Sequence, residues 1–230
     1  MGISSDHPTA LSAMAIEAVN ISKVFQHFQV LKAVSFAIRP GECFTLFGPN
    51  GCGKTTLLKM MATLVRPSSG QFSIMGHDGV KEKGRVRSDL FYMGHGSCLY
   101  DDLSVMENIF FACALRGVYP SNREAKIALD RVGMGAFAHL QSRVLSAGMK
   151  KRVVIAKVIL IRPTVLLLDE LSASLDEQGV EMAHSLIWEF KKEGSAILMS
   201  AHNPTKRAEI SDRAGILKGG VLHELSPSVL

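Results

Sequence analysis

The stretch GPNGCGKTT, residues 48–56, restricts the fold of this chain more than any other feature. An apolar run typical of a strand, CFTLF, precedes it, and a run with helical spacing, TTLLKMMATL, overlaps its end. Glycine accepts backbone conformations that other residues avoid, so a glycine-rich turn can carry a strand directly into a helix. The order strand, glycine-rich loop, helix is typical of chains that wind helices around a parallel sheet. The stretch therefore predicts an α/β fold.

The rest of the chain repeats this alternation. Short apolar runs predict strands, and longer stretches with helical spacing separate them, which favours a largely parallel sheet. The predicted strands are 33–38, 43–47, 71–75, 165–168, 196–200 and 214–217. The turn-like sequence Arg39-Pro40-Gly41-Glu42 leaves another possibility for the first two runs, either an antiparallel hairpin or a small antiparallel sheet.

From about residue 94 to residue 163 the strand pattern disappears. Segments 105–115, 123–132 and 149–161 have helical spacing instead. We expect this part to be a helical subdomain inserted into an α/β core made of residues 16–93 and 164–230, with residues 1–15 as an N-terminal tail. No internal repeat is present, so a single domain, 16–230, is predicted.

The opening stretch also fits the pattern G-x-x-x-x-G-K-[ST] at Gly48, Gly53, Lys54 and Thr55. In such a loop, backbone N–H groups turn inward around phosphate oxygens, and the start of the helix adds the positive end of its dipole. Lys54 is expected to reach the β- and γ-phosphates of a nucleoside triphosphate, and Thr55 to coordinate Mg²⁺. The other loop residues expected at the phosphates are Asn50, Gly51 and Thr56.

Two further motifs supply groups for hydrolysis. TVLLLDE places Asp169 and Glu170 at the carboxyl end of an apolar strand, where ligands bind in open α/β sheets. Asp169 is predicted to hold Mg²⁺, and Glu170 to act as general base on the attacking water. In AILMSAHN another strand is followed by His202, whose imidazole can hydrogen-bond the terminal phosphate or the water. The sequence thus predicts an enzyme that hydrolyses a nucleoside triphosphate.

Composition and charge argue against several other functions. The net charge is +5, but the basic residues are spread out, and Lys150-Lys151-Arg152 is interpreted as a solvated helix turn rather than a nucleic-acid site. The longest apolar run, 153–161, contains Lys157 and falls far short of the roughly 20 residues that span a bilayer. The four cysteines form no CxxC pair, and the N-terminal residues lack a secretory-signal pattern. We expect a cytoplasmic protein that binds no nucleic acid.

The order GPNGCGKTT, LSAGMKKR, VLLLDELSASLD, MSAHN resembles the ATP-binding-cassette (ABC) ATPases, over about residues 16–224. The resemblance implies a P-loop NTPase (RecA-like) α/β core with an antiparallel β subdomain and an inserted α-helical subdomain. It also implies ATP and Mg²⁺ as cofactors and a homodimer of the ATPase subunit. In that dimer the signature residues Ser146 and Gly148 close on the ATP of the opposite subunit, which suits the attraction of helix N-termini for anions.

The resemblance assigns roles to three more residues. Phe25 lies where the family places an aromatic ring on adenine, although a core phenylalanine is an open alternative. Asp176 matches the loop that links the two sites across the dimer. His95 stands where most relatives have a glutamine that contacts Mg²⁺ and water and couples ATP binding to the membrane partner, and direct metal contact by His95 is left open. Ala147 and Met149 depart from the usual signature, LSGGQ.

The resemblance also implies integral membrane permease subunits as partners, since no segment of the sequence is long enough to cross a bilayer. The chain is then expected on the cytoplasmic face of a membrane, or on the matrix side in an organelle. Leu99, Tyr100, Ile109 and Phe110 are candidates for a docking groove, with subdomain core as the alternative.

A glycine-histidine pair, Gly94-His95, and the sequence LDEQGVE resemble the subfamily that serves cytochrome c maturation. This likeness implies haem-exporter membrane proteins as the partners. Two alternatives stay open, the ATPase of another ABC exporter and a soluble single-cassette ATPase that acts in assembly.

Overall fold

The structure is a computed structural model that describes residues 14–94, 96, 98–201 and 210–226. In chain order its strands are β1 (Ile16–Phe25), β2 (Phe28–Ile38), β3 (Cys43–Phe47), β4 (Ser69–Ile74), β5 (His77–Asp78), β6 (Leu90–Met93), β7 (Val165–Asp169), β8 (Ala196–Ser200), β9 (Arg213–Lys218) and β10 (Val221–Glu224). The helices are α1 (Lys54–Met61), α2 (Lys83–Asp89), α3 (Val105–Ala114), α4 (Asn122–Arg131), α5 (Ala147–Ile161) and α6 (Glu177–Lys192). Two single-turn 3₁₀ helices are Gly135–Phe137 and Ser142–Val144.

The larger sheet has the order β10-β9-β3-β8-β7-β6. All neighbouring strands from β9 to β6 run parallel, and β10 is an antiparallel edge strand. Every residue of β3, β7 and β8 is buried, as expected for parallel strands covered on both faces. The largely parallel sheet is therefore confirmed, and the carboxyl ends of these three central strands lie together at one edge.

The smaller sheet is antiparallel and has the order β2-β1-β4-β5. The predicted hairpin between the runs 33–38 and 43–47 is wrong, because β2 lies in this sheet and β3 in the larger one. The turn at Gly41 carries the chain from one sheet to the other. Arg213 of β9 contacts the residues before and after this turn, because its guanidinium donates to Ala37 O at 2.9 Å and to Glu42 Oε1 at 2.8 Å. The alternative, a small antiparallel sheet, is confirmed.

Alternate residues of the larger sheet face two different cores. Val165 and Leu167 of β7 pack with α1 and the smaller sheet on one face. Leu166 and Leu168 pack on the other face with α3, α4, α5 and α6. The sheet is thus the middle layer of the molecule, and the loop from β3 into α1 lies at the edge where its central strands end.

The helical predictions for residues 105–115, 123–132 and 149–161 are confirmed by α3, α4 and α5. Helix α5 begins two residues earlier than predicted because Ser146 acts as its N-cap, accepting a hydrogen bond from Met149 N at 3.2 Å. Capping boxes at Ser104 and Ser121 likewise start α3 and α4. The subdomain boundaries at about 94 and 163 stay a prediction. Within the ranges given above, no helix is both long and apolar enough to cross a membrane.

Candidate functional site

The glycine-rich loop joins the end of β3 to the start of α1 and is held tightly by its neighbours. Gly48 has φ 147° and Gly53 has φ 111°, values that favour glycine. A Cβ on Gly48 would lie 2.5 Å from Leu217 O, and one on Gly53 would lie 2.9 Å from Leu31 Cδ2. The loop therefore needs glycine at these positions both for its backbone angles and for its close approach to β9 and β2.

Lys54 is folded over this loop. Its side chain is buried, and Nζ donates to Gly48 O at 2.7 Å and to Pro49 O at 3.2 Å. Gly53 is the N-cap of α1 and offers no side-chain acceptor to the first N–H groups of the helix, and the first turn of α1 has no acidic residue. A cation and helix N–H donors therefore converge on one place, which suits a phosphate.

The carboxylate of Asp169 lies at the end of β7, fully buried between β6 and β8. Ser200 Oγ donates to its Oδ1 at 2.6 Å, and the hydroxyl of Tyr92 donates to its Oδ2 at 3.5 Å. Burial, and then the charge of Asp169, raise the pKa of Tyr92, so this hydroxyl keeps its proton and stays a donor. The orientation of the Asp169 carboxylate is thus fixed from two strands.

Glu170 follows directly, in the left-handed region with φ 53°. Its backbone is held on both sides: its N–H donates to Ser200 Oγ at 3.0 Å, and its carbonyl accepts from Lys151 Nζ at 2.9 Å. A left-handed conformation is costly for a residue other than glycine and persists where the surroundings impose it. These contacts supply that constraint at a residue that lines the cleft described next.

A cleft of about 550 Å³, a volume typical of ligand sites, lies between the glycine-rich loop and Glu170. Phe25 is among its lining residues and is 45% exposed, with Lys23 Nζ 4.7 Å from the centroid of its ring. The lining residues are Phe25, Val30, Asn50, Gly51, Gly53, Lys54, Thr55, Thr56 and Glu170. The structure therefore brings the predicted phosphate-binding residues, the predicted adenine-stacking ring and the predicted general base to one cleft, with Gly48 beneath Lys54.

Sequence comparison decides the family. A family model described as "ABC transporter" matches residues 31–173, more than half of the chain. The chain belongs to the ABC transporter ATPases. Its biochemical activity is therefore ATP hydrolysis, and a Mg²⁺ requirement is general in this family.

Individual relatives differ in what they serve. The chain is 33% identical, over 81% of its length and 92% of the relative's, to the cytochrome c biogenesis ATP-binding export protein CcmA of Pseudomonas aeruginosa. It is 32% identical, over 91% of its length and 56% of the relative's, to the spermidine/putrescine import ATP-binding protein PotA of Trichodesmium erythraeum.

The fold agrees with this assignment. A solved ATP-binding subunit of an ABC transporter matches with a TM-score of 0.85 at 26% identity, covering 92% of this chain and 90% of that one. The ABC ATPase fold, with its P-loop core, antiparallel β-sheet and helical insertion, is confirmed.

The predicted signature residues lie apart from this cleft. Ser146 is exposed at the start of α5, and neither it nor Gly148 is among the cleft-lining residues. Gly148 packs so closely against the segment after β7 that a Cβ there would lie 2.6 Å from Ser174 O. The predicted trans-ATP residues thus occupy a separate, exposed helix start.

Asp176 is the N-cap of α6 and is exposed. Its Oδ1 accepts from Arg152 Nη2 at 2.6 Å and from Gly179 N at 3.0 Å. The hydrogen bond from Arg152, followed by the one from Gly179, lowers the pKa of this carboxyl. His95 and His202 lie outside the described residues.

Sequence reasoning missed three residues of the site: Ser200, Tyr92 and Lys151. Ser200 could be found once β7 and β8 are known to be neighbours, because it pairs with Asp169 in the register. Lys151 was interpreted as part of a solvated helix turn, and that prediction is wrong for this residue, which is 9% exposed and donates to Glu170 O.

The predicted docking residues divide in two. Ile109 is fully buried and belongs to the helical core, as the alternative had it, and Leu99 and Phe110 are partly buried against that core. Tyr100 is 56% exposed and packs edge-on against Phe111, with ring centroids 4.9 Å apart. Only part of the predicted groove is therefore open to a partner.

Proposed function

We propose that Glu170 is the general base of this ATPase and that residues 48–56 hold the phosphates of ATP. In this mechanism Lys54 neutralises charge on the β- and γ-phosphates, while the loop N–H groups bind phosphate oxygens. Glu170 accepts a proton from the water that attacks the γ-phosphorus, and His202 contacts the same phosphate. Support comes from the cleft in which Lys54, Thr55 and Glu170 meet.

The donor set fits Mg²⁺. Thr55 offers a hydroxyl at the cleft and Asp169 a buried carboxylate at the adjacent strand end, and Mg²⁺ prefers oxygen ligands completed by phosphate and water. The described part of the chain contains no group of three or more His, Cys, Asp or Glu residues that could hold a metal ion. A bound Mg²⁺ would therefore need phosphate and water as further ligands. When bound, the ion neutralises charge that develops on the phosphates; Thr55 and Asp169 are proposed to hold it.

We further propose that two copies of the chain act together. The exposed N-terminus of α5, with Ser146 at its cap and Gly148 in its first turn, lies outside the cleft of its own subunit. A helix N-terminus of this kind is suited to the phosphates of ATP in a second copy. Asp176, at the N-cap of α6, is then placed to contact the partner's site, and Phe25 to stack on adenine within its own.

The proposed transport partner is a membrane permease, and the proposed cargo pathway is haem handling for cytochrome c maturation. The likeness to CcmA over most of both chains supports this choice. Exposed Tyr100, Phe111, Leu115 and Tyr119 supply apolar surface for such a partner on the helical side of the molecule. His95 is proposed to report ATP binding to the permease.

The test combines a trapped variant with identification of its partners. Glu170→Gln is expected to lower kcat by a factor of about 100 or more while nucleotide binding is retained, because it removes the base and keeps the cleft. Glu181→Gln, an exposed position on α6, is the matched control and should hydrolyse ATP normally. Membranes from the native host, solubilised with ATP present, are then used to purify each variant.

Three outcomes separate the possibilities. Co-purified membrane subunits with haem absorbance support the full proposal. Co-purified permeases without haem, together with normal c-type cytochromes in a deletion strain, point to another ABC exporter or importer. Stable complexes with soluble proteins only would remove the transporter and leave the ATPase.

A further inference from the structure

We propose that Lys151 is a positioning residue that holds the catalytic carboxylate of Glu170 in its working direction. The proposal rests on the role of Glu170 proposed above. Lys151 lies in the second turn of α5, and its Nζ donates to the carbonyl oxygen of Glu170 at 2.9 Å.

The contact is specific to this member of a basic triplet. Lys150 Nζ pairs with Asp101 Oδ1 at 2.8 Å, and Arg152 pairs with Asp176 at the start of α6. Lys150 is partly exposed, whereas Lys151 is buried. Lys151 is thus the residue of the triplet that reaches the site, and its neighbour on the same helix provides a natural comparison.

The hydrogen bond from Lys151 to Glu170 O matters because Lys151 is buried. A buried ammonium is costly unless it is hydrogen-bonded or paired, so placing one here needs a compensating structural effect. The Glu170 carbonyl that it binds belongs to a residue with φ 53°, a conformation that must be imposed. The ammonium binds the peptide on the carboxyl side of Glu170, and Ser200 Oγ binds the one on the amino side.

Two anchors on the backbone fix the direction of the Cα–Cβ bond between them. Ser200 Oγ also donates to Asp169 Oδ1, so the amino-side anchor ties the base to the predicted metal carboxylate. Lys151 is the second anchor, and it shares the Glu170 carbonyl with Ala173 N, which donates at 3.0 Å. Removing Lys151 takes the charged donor from that carbonyl and loosens the peptide after Glu170. Displacing a reacting group by about 1 Å can lower a rate about 100-fold, whereas ATP binding depends on the phosphate loop instead.

The experiment measures ATP hydrolysis and nucleotide binding by the full chain carrying Lys151→Met, which keeps the apolar stem and removes the cation. We expect kcat to fall about 10- to 100-fold, with KM and the Kd for a fluorescent ATP analogue within about twofold of wild type. The control Lys150→Met should keep kcat within about twofold. Lys151→Gln, whose amide can still donate to a carbonyl, should recover part of the lost kcat.

Distinct results overturn the proposal. Wild-type kcat in Lys151→Met would overturn it, and so would a parallel loss of ATP affinity and thermal stability, which marks a purely structural lysine. If Lys151→Met does not fold, Lys151→Gln carries the test, and equal losses in kcat and affinity there would overturn it. Glu170→Gln is measured alongside. If it retains ATP turnover, the proposed base is wrong. If kcat falls in Glu170→Gln but not in Lys151→Met, only the positioning role of Lys151 is refuted.

Discussion

Replacing Lys157 with methionine should stabilise the protein at neutral pH. Lys157 lies in α5 among apolar residues and is 4% exposed. Burial lowers the pKa of its ammonium from an ordinary 10.5 to about 8. The difference between these pKa values, 10.5 − 8, corresponds to about 3 kcal/mol at about 1.36 kcal/mol per pKa unit.

The substitution also removes a hydrogen bond, which reduces the gain in stability. Lys157 Nζ donates to Cys98 O at 3.3 Å, and such a bond contributes about 1 kcal/mol. Methionine has a similar stem and fills the same space, so little cavity cost is added. The free energy of unfolding in Lys157→Met should therefore exceed that of wild type by about 2 kcal/mol at pH 7.

The pH dependence has a defined sign. Because the pKa of Lys157 is lower in the folded state, the unfolded chain binds more protons between about pH 8 and pH 10.5, and wild-type stability rises with pH across that window. The advantage of the methionine variant should therefore shrink by about 2 kcal/mol between pH 7 and pH 9.5. Cys113 lies close enough to Lys157 for its own pKa to be affected, although burial dominates and raises it.

The assay is urea unfolding under reducing conditions at both pH values, with Lys126→Met as control. Lys126 is on the surface of α4 and pairs with Asp130, so its replacement should change stability by less than about 0.5 kcal/mol at either pH. A Lys157→Met variant less stable than wild type at pH 7, or a difference that does not change with pH, would refute the reasoning.

Two further predictions concern the site. Gly148→Ala should destabilise the protein by about 1–3 kcal/mol in urea unfolding and slow ATP hydrolysis, because its Cβ would lie 2.6 Å from Ser174 O. The control Gly84→Ala lies in α2, where an added Cβ meets no atom within 4 Å, and should be neutral or stabilising. Equal changes in the free energy of unfolding in the two variants would contradict the packing argument. Phe25→Ala should raise the KM for ATP about 10-fold through lost stacking, whereas Phe28→Ala, exposed and outside the cleft, should leave it unchanged; an unchanged KM in both would remove Phe25 from the adenine site.

The parts of the site that could be predicted are local in sequence. The loop from Gly48 to Lys54 and the pair Asp169-Glu170 are each defined by a few consecutive residues beside an apolar strand. The contacts of Ser200 and Lys151 were not predicted because they join residues 31 and 19 positions from their partners, Asp169 and Glu170. Only the packing of strands and helices brings such residues together.

The fold shows the same limit. Strand β1 was missed because bulges after Ala18 and Ile21 interrupt its alternation, so its apolar residues do not follow a regular period of two. The short strand β6 was missed because its four residues carry little pattern of their own. The turn after Ile38 indicated a change of direction, but local turn chemistry does not specify which sheet the next strand joins.

The side chains of Lys150, Lys151 and Arg152 leave α5 in different directions, and this affects how the helix can move. Successive residues of a helix point about 100° apart, so Lys150, Lys151 and Arg152 contact three separate segments around α5. These are the loop before α3, the backbone of Glu170 and the start of α6. A rotation of α5 about its axis would strain all three contacts. If a second copy binds at the exposed N-terminus of α5, as proposed, a displacement of this helix would be felt at the proposed base Glu170 through Lys151.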